Sequence, residues 1–295
     1  MASRMLDRAL ADHARVRSLS PARALRYHDR VDGCSAPIGV FDSGLGGLSV
    51  LRELRATLPH EDVLYYADSA HCPYGIRPPA DILARTTAIA DAFRAYSSKM
   101  LVVACNTACS VALRDLRAAH DIPIVGLEPA VKPAVTISRS GKIGVLATPR
   151  TASGEPLGAL IRTYAAGARV ITVPAPGLAD LVEAGCTSGP CVEAALRPLL
   201  DPLLDEGVDT LVLGCTHYPF LRETIQRLAG PDLTLIDSGT AVARRARAVL
   251  AEHDLLRAPG APGLLTLYTS GDPDQVGAIA ARLLDEEIVA VHLPL

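Results

Sequence analysis

Two cysteines in similar surroundings are the residues of this chain best suited to chemistry. Cys105 follows the apolar run 101–104, and Cys215 follows the apolar run 211–214. We place each cysteine at the end of a buried strand, just before a helix. In that position the helix dipole and the backbone N–H groups lower the pKa of a thiol. The pattern therefore predicts a reactive thiolate at both positions.

The pairing of these two cysteines is more informative than either alone. A single cysteine at a strand end is usually a packing residue. Two cysteines at equivalent points of two facing halves can approach one cavity from opposite sides. One thiolate then removes a proton from a carbon centre while the opposing thiol delivers a proton to the other face. For both sulfurs to reach one carbon, we expect them to lie roughly 6–7 Å apart.

Other chemically capable side chains fall near the same strand ends. Asp42, Glu183 and His217 can orient the thiols or relay protons to them. Each also has a structural interpretation: Asp42 as a loop or helix cap, His217 as a hydrogen-bonded histidine near the surface, and Glu183 as a solvated helix residue. Uncharged Ser, Thr and Asn side chains at these strand ends suit a substrate with a carboxylate and an ammonium group.

The elements that must position these residues alternate along the chain. Apolar runs and helical periodicity predict strands at 38–41, 63–66, 100–104 and 122–125, with helices at 48–58, 80–97 and 107–120 between or after them. Strands that alternate with helices of this length indicate a parallel sheet covered on both faces. In such a sheet, ligands bind outside the carboxyl ends of the strands.

The pattern then restarts. Residues 143–146 repeat the character of 38–41, and residues 211–216 repeat that of 101–106. A sequence pattern that repeats once, over a long interval, indicates two related lobes rather than a solenoid. We predict an α/β protein with two pseudo-symmetric doubly wound lobes, mainly parallel sheets and an active site in the cleft between them. The predicted domains are an N-terminal extension (1–36), a first lobe (37–130 with 240–295) and a second lobe (131–239).

Composition excludes several classes of function. The chain has 295 residues, 49% of them hydrophobic, and a net charge of −3, so it lacks the basic excess of a nucleic-acid binder. No apolar run approaches the length of a membrane span. The seven cysteines are an odd number, and none of their spacings is that of a zinc site, so we expect reduced thiols, a cytoplasmic location and no metal. In residues 1–36 charges interrupt every apolar run, so we expect a poorly ordered extension and no signal peptide.

The glycines that follow the first strand have two interpretations. Gly44, Gly46 and Gly47 resemble a phosphate-binding loop in position. They lack the third glycine of GxGxxG, however, and no GxxxxGK[ST] motif is present. We therefore favour a tight turn that lets the backbone approach a small anionic ligand closely.

Four motifs together resemble those of bacterial glutamate racemases. They are IGVFDSGLGG (38–47), YADSAHCPYG (66–75), ACNTA (104–108) and GCTHYP (214–219). The match extends from about residue 37 to about residue 284, with the motifs in order and sensibly spaced. The resemblance implies an isomerase, independent of cofactors, that interconverts L- and D-glutamate and supplies D-glutamate for peptidoglycan. It leaves the first 36 residues or so uncovered.

The resemblance also implies roles for individual residues. It makes Cys105 and Cys215 the acid–base pair, with Asp42 near the first sulfur and Glu183 and His217 near the second. The substrate contacts that it implies, besides Asp42 and His217, are Ser43, Pro73, Tyr74, Gly75, Asn106, Thr107, Thr148, Thr151 and Thr216. None of the three lysines lies in these segments, so a pyridoxal mechanism has no obvious anchor.

Two residues depart from the family pattern, and alternatives remain open. Cys72 adds a thiol beside the substrate motif, and Arg150 is bulkier than usual between Thr148 and Thr151. The alternatives are a racemase for aspartate or another amino acid, a cysteine hydrolase or amidotransferase with one nucleophilic cysteine, and a non-catalytic sensor of acidic amino acids. The expected partner is a small-molecule substrate, with no nucleic acid and no membrane, and a homodimer is possible.

Overall fold

The structure is a computed structural model that describes residues 33–295. The predicted extension, residues 1–36, therefore lies outside the described residues except for its last four positions.

The described chain alternates strands and helices almost throughout. The strands are β1 (Ile38–Asp42), β2 (Val63–Ala67), β3 (Met100–Val103), β4 (Ile124–Val125), β5 (Lys142–Ala147), β6 (Arg169–Pro174), β7 (Thr210–Gly214), β8 (Thr234–Ile236), β9 (Leu265–Thr269) and β10 (Ala290–His292). The helices are α1 (Leu48–Thr57), α2 (Pro79–Ala95), α3 (Asn106–Ala119), α4 (Val131–Ile137), α5 (Pro149–Ala152), α6 (Glu155–Tyr164), α7 (Leu178–Glu183), α8 (Pro190–Asp205), α9 (Arg222–Ala229), α10 (Gly239–Glu252) and α11 (Pro273–Leu284). Short 3₁₀ turns occupy Ser69–His71, Tyr74–Ile76 and Tyr218–Leu221.

The strands form two parallel sheets. The first has the order β10-β9-β2-β1-β3-β4, and the second has the order β6-β5-β7-β8. Every adjacent pair within them is parallel. The predicted α/β class with two lobes is confirmed. The first sheet takes its strands from 38–125 and 265–292 and the second from 142–236, whereas the domain bounds at 130 and 240 stay a prediction.

The central strands are buried on both faces, which explains their uninterrupted apolar sequences. All residues of β1, β2, β3 and β7 are buried, as expected where helices cover both sides of a parallel sheet. One apolar cluster runs through both lobes: it contains Leu45 and Leu48 from the first and Val182 and Leu213 from the second. The two lobes therefore share a hydrophobic core beneath the cleft.

Two peripheral strands, β6 and β10, have no counterpart among the strands predicted from the apolar runs. The residues of β6 are half-buried or exposed, and two of the three residues of β10 are exposed. Edge strands that face solvent need no continuous apolar run, so their sequences carry a weak signal. No helix in residues 33–295 is long and apolar enough to cross a membrane.

Candidate active site

Asp42, at the carboxyl end of β1, is the hub of the site. One carboxylate oxygen, Oδ1, accepts from the backbone N–H of Ser43 at 2.6 Å, and the other, Oδ2, accepts from the N–H of Gly47 at 2.5 Å. The hydroxyl of Thr216, from the other lobe, donates to Oδ2 at 3.1 Å. Burial raises the pKa of this fully buried carboxyl, and His217 opposes that shift. Asp42 therefore fixes the loop after β1, as a cap does, and also joins it to the second cysteine motif.

Cys105 is the N-cap residue of α3 and lies beside Asp42. Its sulfur accepts from the backbone N–H of Ala108 at 3.5 Å and lies 3.8 Å from Oγ of Ser43. Ser43 in turn donates to Asp42 at 3.2 Å. The predicted position at a strand end before a helix is thus correct.

The expectation that this position lowers the thiol pKa is wrong for Cys105. Burial raises its pKa well above the usual value, and the nearby Asp42 carboxylate raises it further. The N–H of Ala108 acts in the opposite direction but is weaker. Removing a thiolate from water costs more than one helix N-terminus returns. A thiol with a raised pKa is a stronger base once it is deprotonated.

Cys215 and two neighbours form a chain of contacts on the second lobe. The sulfur lies 3.5 Å from Nδ1 of His217, whose Nε2 lies 2.6 Å from Oε1 of Glu183. Glu183 ends α7 and also accepts from the backbone N–H of Leu45 at 2.6 Å. The solvated alternative for Glu183 is therefore wrong. A short 3₁₀ turn, Tyr218–Leu221, rather than an α-helix, follows this cysteine motif.

His217 is buried, yet its pKa is raised well above the usual value. Burial by itself lowers the pKa of a histidine. Hydrogen bonds to Cys215, Cys72 and Glu183 outweigh that effect and favour the charged imidazole. The near-surface alternative for this residue is wrong, because its exposed fraction is 2%. Its place between a thiol and a carboxylate suits proton exchange with Cys215.

A cluster of hydroxyl groups joins the two lobes beside the cysteines. Thr107, at the start of α3, lies 3.0 Å from the hydroxyl of Thr148 and 3.4 Å from that of Thr151. Asn106 precedes Thr107, and its Oδ1 atom is buried without a hydrogen-bond partner. A β-carbon on Gly75 would press against Thr148, so the 73–75 motif reaches this cluster as well. The buried donors and acceptors here match a small polar ligand.

Asp68 is a buried site residue to which the sequence analysis assigned no role. Its carboxylate accepts from Arg85 at 2.7 and 3.0 Å, from Tyr74 at 2.6 Å and from Ser270 at 2.7 Å, and it lies 2.9 Å from Nδ1 of His71. Burial alone raises its pKa, but these hydrogen bonds outweigh burial and the pKa is lowered. Asp42 ends one buried strand and Asp68 directly follows another, and an aspartate at the end of an apolar run is a signal in the sequence that could have identified it.

Tyr74 differs from the other predicted substrate contacts. Its hydroxyl is bound to Asp68, and its ring is buried in an apolar cluster with Phe41 and Tyr66. The residue holds the 73–75 loop in place, and the neighbouring Gly75 lies against Thr148 of the hydroxyl cluster.

The two departures from the family pattern occupy different places. Cys72 is half-buried beside Glu183 and His217, with ligating atoms of the three residues within 4.8 Å of one another. Arg150 is half-buried on α5, and its Nε atom is enclosed without a hydrogen-bond partner. Of the two, only Cys72 joins the cluster around His217.

Both cysteine motifs thus converge on Asp42 from opposite lobes. Cys105 reaches it through Ser43, and the Cys215 motif reaches it through Thr216. Both cysteines are buried, with exposed fractions of 4% and 6%. The structure therefore brings two enclosed thiols, each beside its own ionisable partners, to the junction between the lobes.

Comparison with known proteins places this arrangement among racemases. Residues 38–246 match the family model described as Asp/Glu/Hydantoin racemase. A glutamate racemase from Stutzerimonas stutzeri (strain A1501) is 48% identical over 262 residues, which cover 88% of this chain and 98% of that protein. The sequence resemblance is confirmed.

Solved structures agree with the sequence matches. The glutamate racemase of Francisella tularensis subsp. tularensis SCHU S4, in complex with D-glutamate, is 28% identical with a TM-score of 0.77, over 88% of this chain and 97% of that one. The Escherichia coli glutamate racemase, in complex with L-glutamate and the activator UDP-MurNAc-ala, is 34% identical with a TM-score of 0.76, over 87% and 97%.

Proposed function

The chain belongs to the Asp/Glu/hydantoin racemase family, and from that premise we propose that it interconverts L- and D-glutamate by proton transfer at Cα between two thiols. The observation that carries the mechanism is the convergence of the two cysteine motifs on Asp42 from opposite lobes. The enzyme is an isomerase with a small-molecule substrate, and its D-glutamate supplies peptidoglycan synthesis.

The reaction exchanges protons between two sulfurs and one carbon. In one direction a thiolate at Cys105 removes the Cα proton, and the thiol of Cys215 protonates the opposite face. In the other direction the roles reverse, so one sulfur must carry a proton while the other is a thiolate. Asp42 lies beside the first thiol and exchanges protons with it. His217 exchanges protons with the second thiol and is itself hydrogen-bonded to Glu183. The sulfurs should lie roughly 6–7 Å apart with substrate bound.

The pocket must also stabilise the carbanion, because a Cα–H is a very weak acid. The hydroxyls of Thr107, Thr148 and Thr151 can donate to the α-carboxylate, and the unpaired Oδ1 of Asn106 can accept from the ammonium group. Burial that raises the pKa of Cys105 increases the basicity of its thiolate toward this weak acid. The walls of the proposed substrate pocket are completed by Ser43, Gly75 and Thr216.

This mechanism needs no cofactor. A pyridoxal enzyme holds its cofactor through a lysine Schiff base. Lys99 is instead buried against Glu61 and the carbonyl groups of Cys34 and Leu255, remote from the strand ends of the site. Lys132 and Lys142 lie outside the site motifs.

Replacing each thiol separately tests the proposal. We expect Cys105→Ser and Cys215→Ser each to abolish racemisation in both directions. Exchange of the α-hydrogen with deuterated water should survive in each variant for one enantiomer only, and that enantiomer should differ between the two variants. Chiral chromatography and NMR measure both. The matched control, Cys109→Ser, should behave like the parent protein because that thiol is bound to Val103 and Leu127 behind the site.

The same experiment separates the alternatives. If one of the two replacements were harmless, the chemistry would be that of a hydrolase with a single nucleophile. A protein that bound glutamate without exchanging its α-hydrogen would be a sensor. Activity on aspartate in preference to glutamate would identify a sister racemase.

Location and assembly belong to the proposal too. We place the enzyme in the cytoplasm, which agrees with its seven free cysteines. A homodimer remains our prediction, and sedimentation equilibrium with and without glutamate checks it.

A further inference from the structure

Three potential metal ligands from distant parts of the chain meet at one edge of the active site. The Cys72 sulfur, a Glu183 carboxylate oxygen and a His217 ring nitrogen lie within 4.8 Å of one another. A tetrahedral cation bound at roughly 2.0–2.3 Å from each would need ligand atoms about 3.3–3.8 Å apart. The three side chains therefore need to shift by only about 1 Å to surround a metal ion.

The ligand set is selective. One sulfur, one imidazole nitrogen and one carboxylate oxygen suit Zn²⁺, which accepts all three types, better than Mg²⁺ or Ca²⁺, which prefer oxygen. The other ring nitrogen of His217, Nδ1, lies 3.5 Å from the sulfur of Cys215, and Glu183 is held by the N–H of Leu45. Such outer contacts fix the orientation of metal ligands.

A cavity beside the cluster provides a path of entry. It has a volume of about 340 Å³, and Cys72 and Glu183 both line it. Its other charged lining residues, within the described part of the chain, are Asp180 and Asp272, so the charged groups that face it are acidic. An acidic cavity attracts a cation and leaves room for water as the fourth ligand.

We propose that Cys72, Glu183 and His217 form an inhibitory Zn²⁺ site that opens onto this cavity. The ion would take the place of the proton between His217 and Glu183 and bind the Cys72 thiolate, so that this proton and the thiol proton are both released to solvent. Zinc bound to Nε2 would keep His217 from exchanging protons with Cys215. The sequence predicts no metal for this chain, because these ligands are far apart along it. The inhibition rests on the proposed function, whereas the binding does not.

Metal binding is the first test. We expect one Zn²⁺ per chain in competition with a chromophoric chelator, and a sulfur-to-metal charge-transfer band with Co²⁺. In Cys72→Ala the affinity for Zn²⁺ should fall at least about a hundredfold, because even loss of an outer partner of a ligand costs about 10–100-fold. The charge-transfer band with Co²⁺ should be lost with the sulfur. The control Cys191→Ala, which removes an exposed thiol, should bind like the parent protein. Equal Zn²⁺ binding by the parent protein and Cys72→Ala would overturn the site.

Racemisation is the second readout. Zn²⁺ should inhibit the parent protein and Cys191→Ala reversibly, with chelator restoring the rate, and Cys72→Ala should keep its metal-free rate under the same Zn²⁺. Binding that needs Cys72 but leaves racemisation unaffected would overturn the inhibitory role and keep the site. Absence of racemisation in every metal-free sample, with binding intact, would instead count against the proposed function.

Discussion

At the scale of single residues, the site uses burial to set the proton affinities of its groups. Burial raises the pKa of Cys105 and of Asp42, whereas hydrogen bonds raise the pKa of His217 in spite of its burial. The two thiols therefore have unlike partners: a carboxyl beside Cys105, and an imidazole with its carboxylate beside Cys215. A racemase needs two bases for mirror-image substrates, but these bases need not have mirror-image surroundings.

Replacing Glu183 by glutamine tests the second partner. The change removes a charge-assisted hydrogen bond worth about 1.5–3 kcal/mol, so kcat should fall by about ten- to hundredfold. Because Glu183 helps to raise the pKa of His217, that pKa should drop in the variant, and the limb of the pH profile that reports loss of this proton should move to lower pH. Steady-state kinetics in both directions and NMR titration of the histidine measure these effects.

Glu193→Gln is the matched control. Glu193 pairs with Arg227 on the surface of the second lobe and lies outside the site. An unchanged kcat and an unchanged histidine titration in Glu183→Gln would contradict the assigned role.

At the scale of elements, the loops that follow strands position the groups to which we assign catalytic roles. The loop after β1 is held by Asp42 and by the hydroxyl of Tyr65, which donates to the carbonyl of Gly44 at 2.9 Å. The loop after β2 is held by Asp68, which ties Tyr74 and Ser270 to one carboxylate. In both loops a buried aspartate fixes the backbone beside the site through its hydrogen bonds.

Asp68→Asn should loosen the second loop and destabilise the protein by about 3 kcal/mol at pH 7, since it breaks a buried ion pair with Arg85. The pKa of Asp68 is lowered in the folded state, so its contribution is present above the unfolded pKa of about 3.9 and is lost as pH falls through the folded pKa. The difference between parent and variant should therefore shrink in acid. Urea unfolding at pH 7 and pH 3 measures it.

The control for this prediction is Asp115→Asn, since Asp115 is half-exposed in a long surface pair with Arg114. A constant difference between parent and Asp68→Asn across this pH range would show that the carboxylate charge is not the stabilising feature.

At the scale of the whole molecule, the site exists only where the lobes meet. Glycines of the first lobe make this approach possible: a β-carbon on Gly44 would overlap Glu183, and one on Gly46 would overlap His217. The glycine loop that resembled a phosphate-binding motif is therefore required for contact between lobes.

Gly46→Ala should displace His217 and leave the fold intact, because the β-carbon would collide with a side chain and not with backbone. We expect kcat to fall by about 10²-fold, the scale of one acid–base group, with an unchanged circular dichroism spectrum and a stability lower by about 1–3 kcal/mol, the cost of overpacking a buried site. Gly167→Ala is the control, since its added carbon meets no atom within 4 Å. Full activity in Gly46→Ala would rule out close contact between the lobes during turnover.

The sequence by itself determined the fold class and placed both cysteines at the ends of buried strands, where we propose that the chemistry occurs. These follow from local properties: apolar runs mark buried strands, and parallel strands present their carboxyl ends at one edge. Only the tertiary structure decided what each group experiences. Three features depend on burial and on residues far apart in the chain. They are the raised pKa of Cys105, the lowered pKa of Asp68, and the approach of Cys72 to Glu183 and His217. Desolvation and contacts between lobes arise when the chain is packed, so no spacing along the sequence encodes them directly.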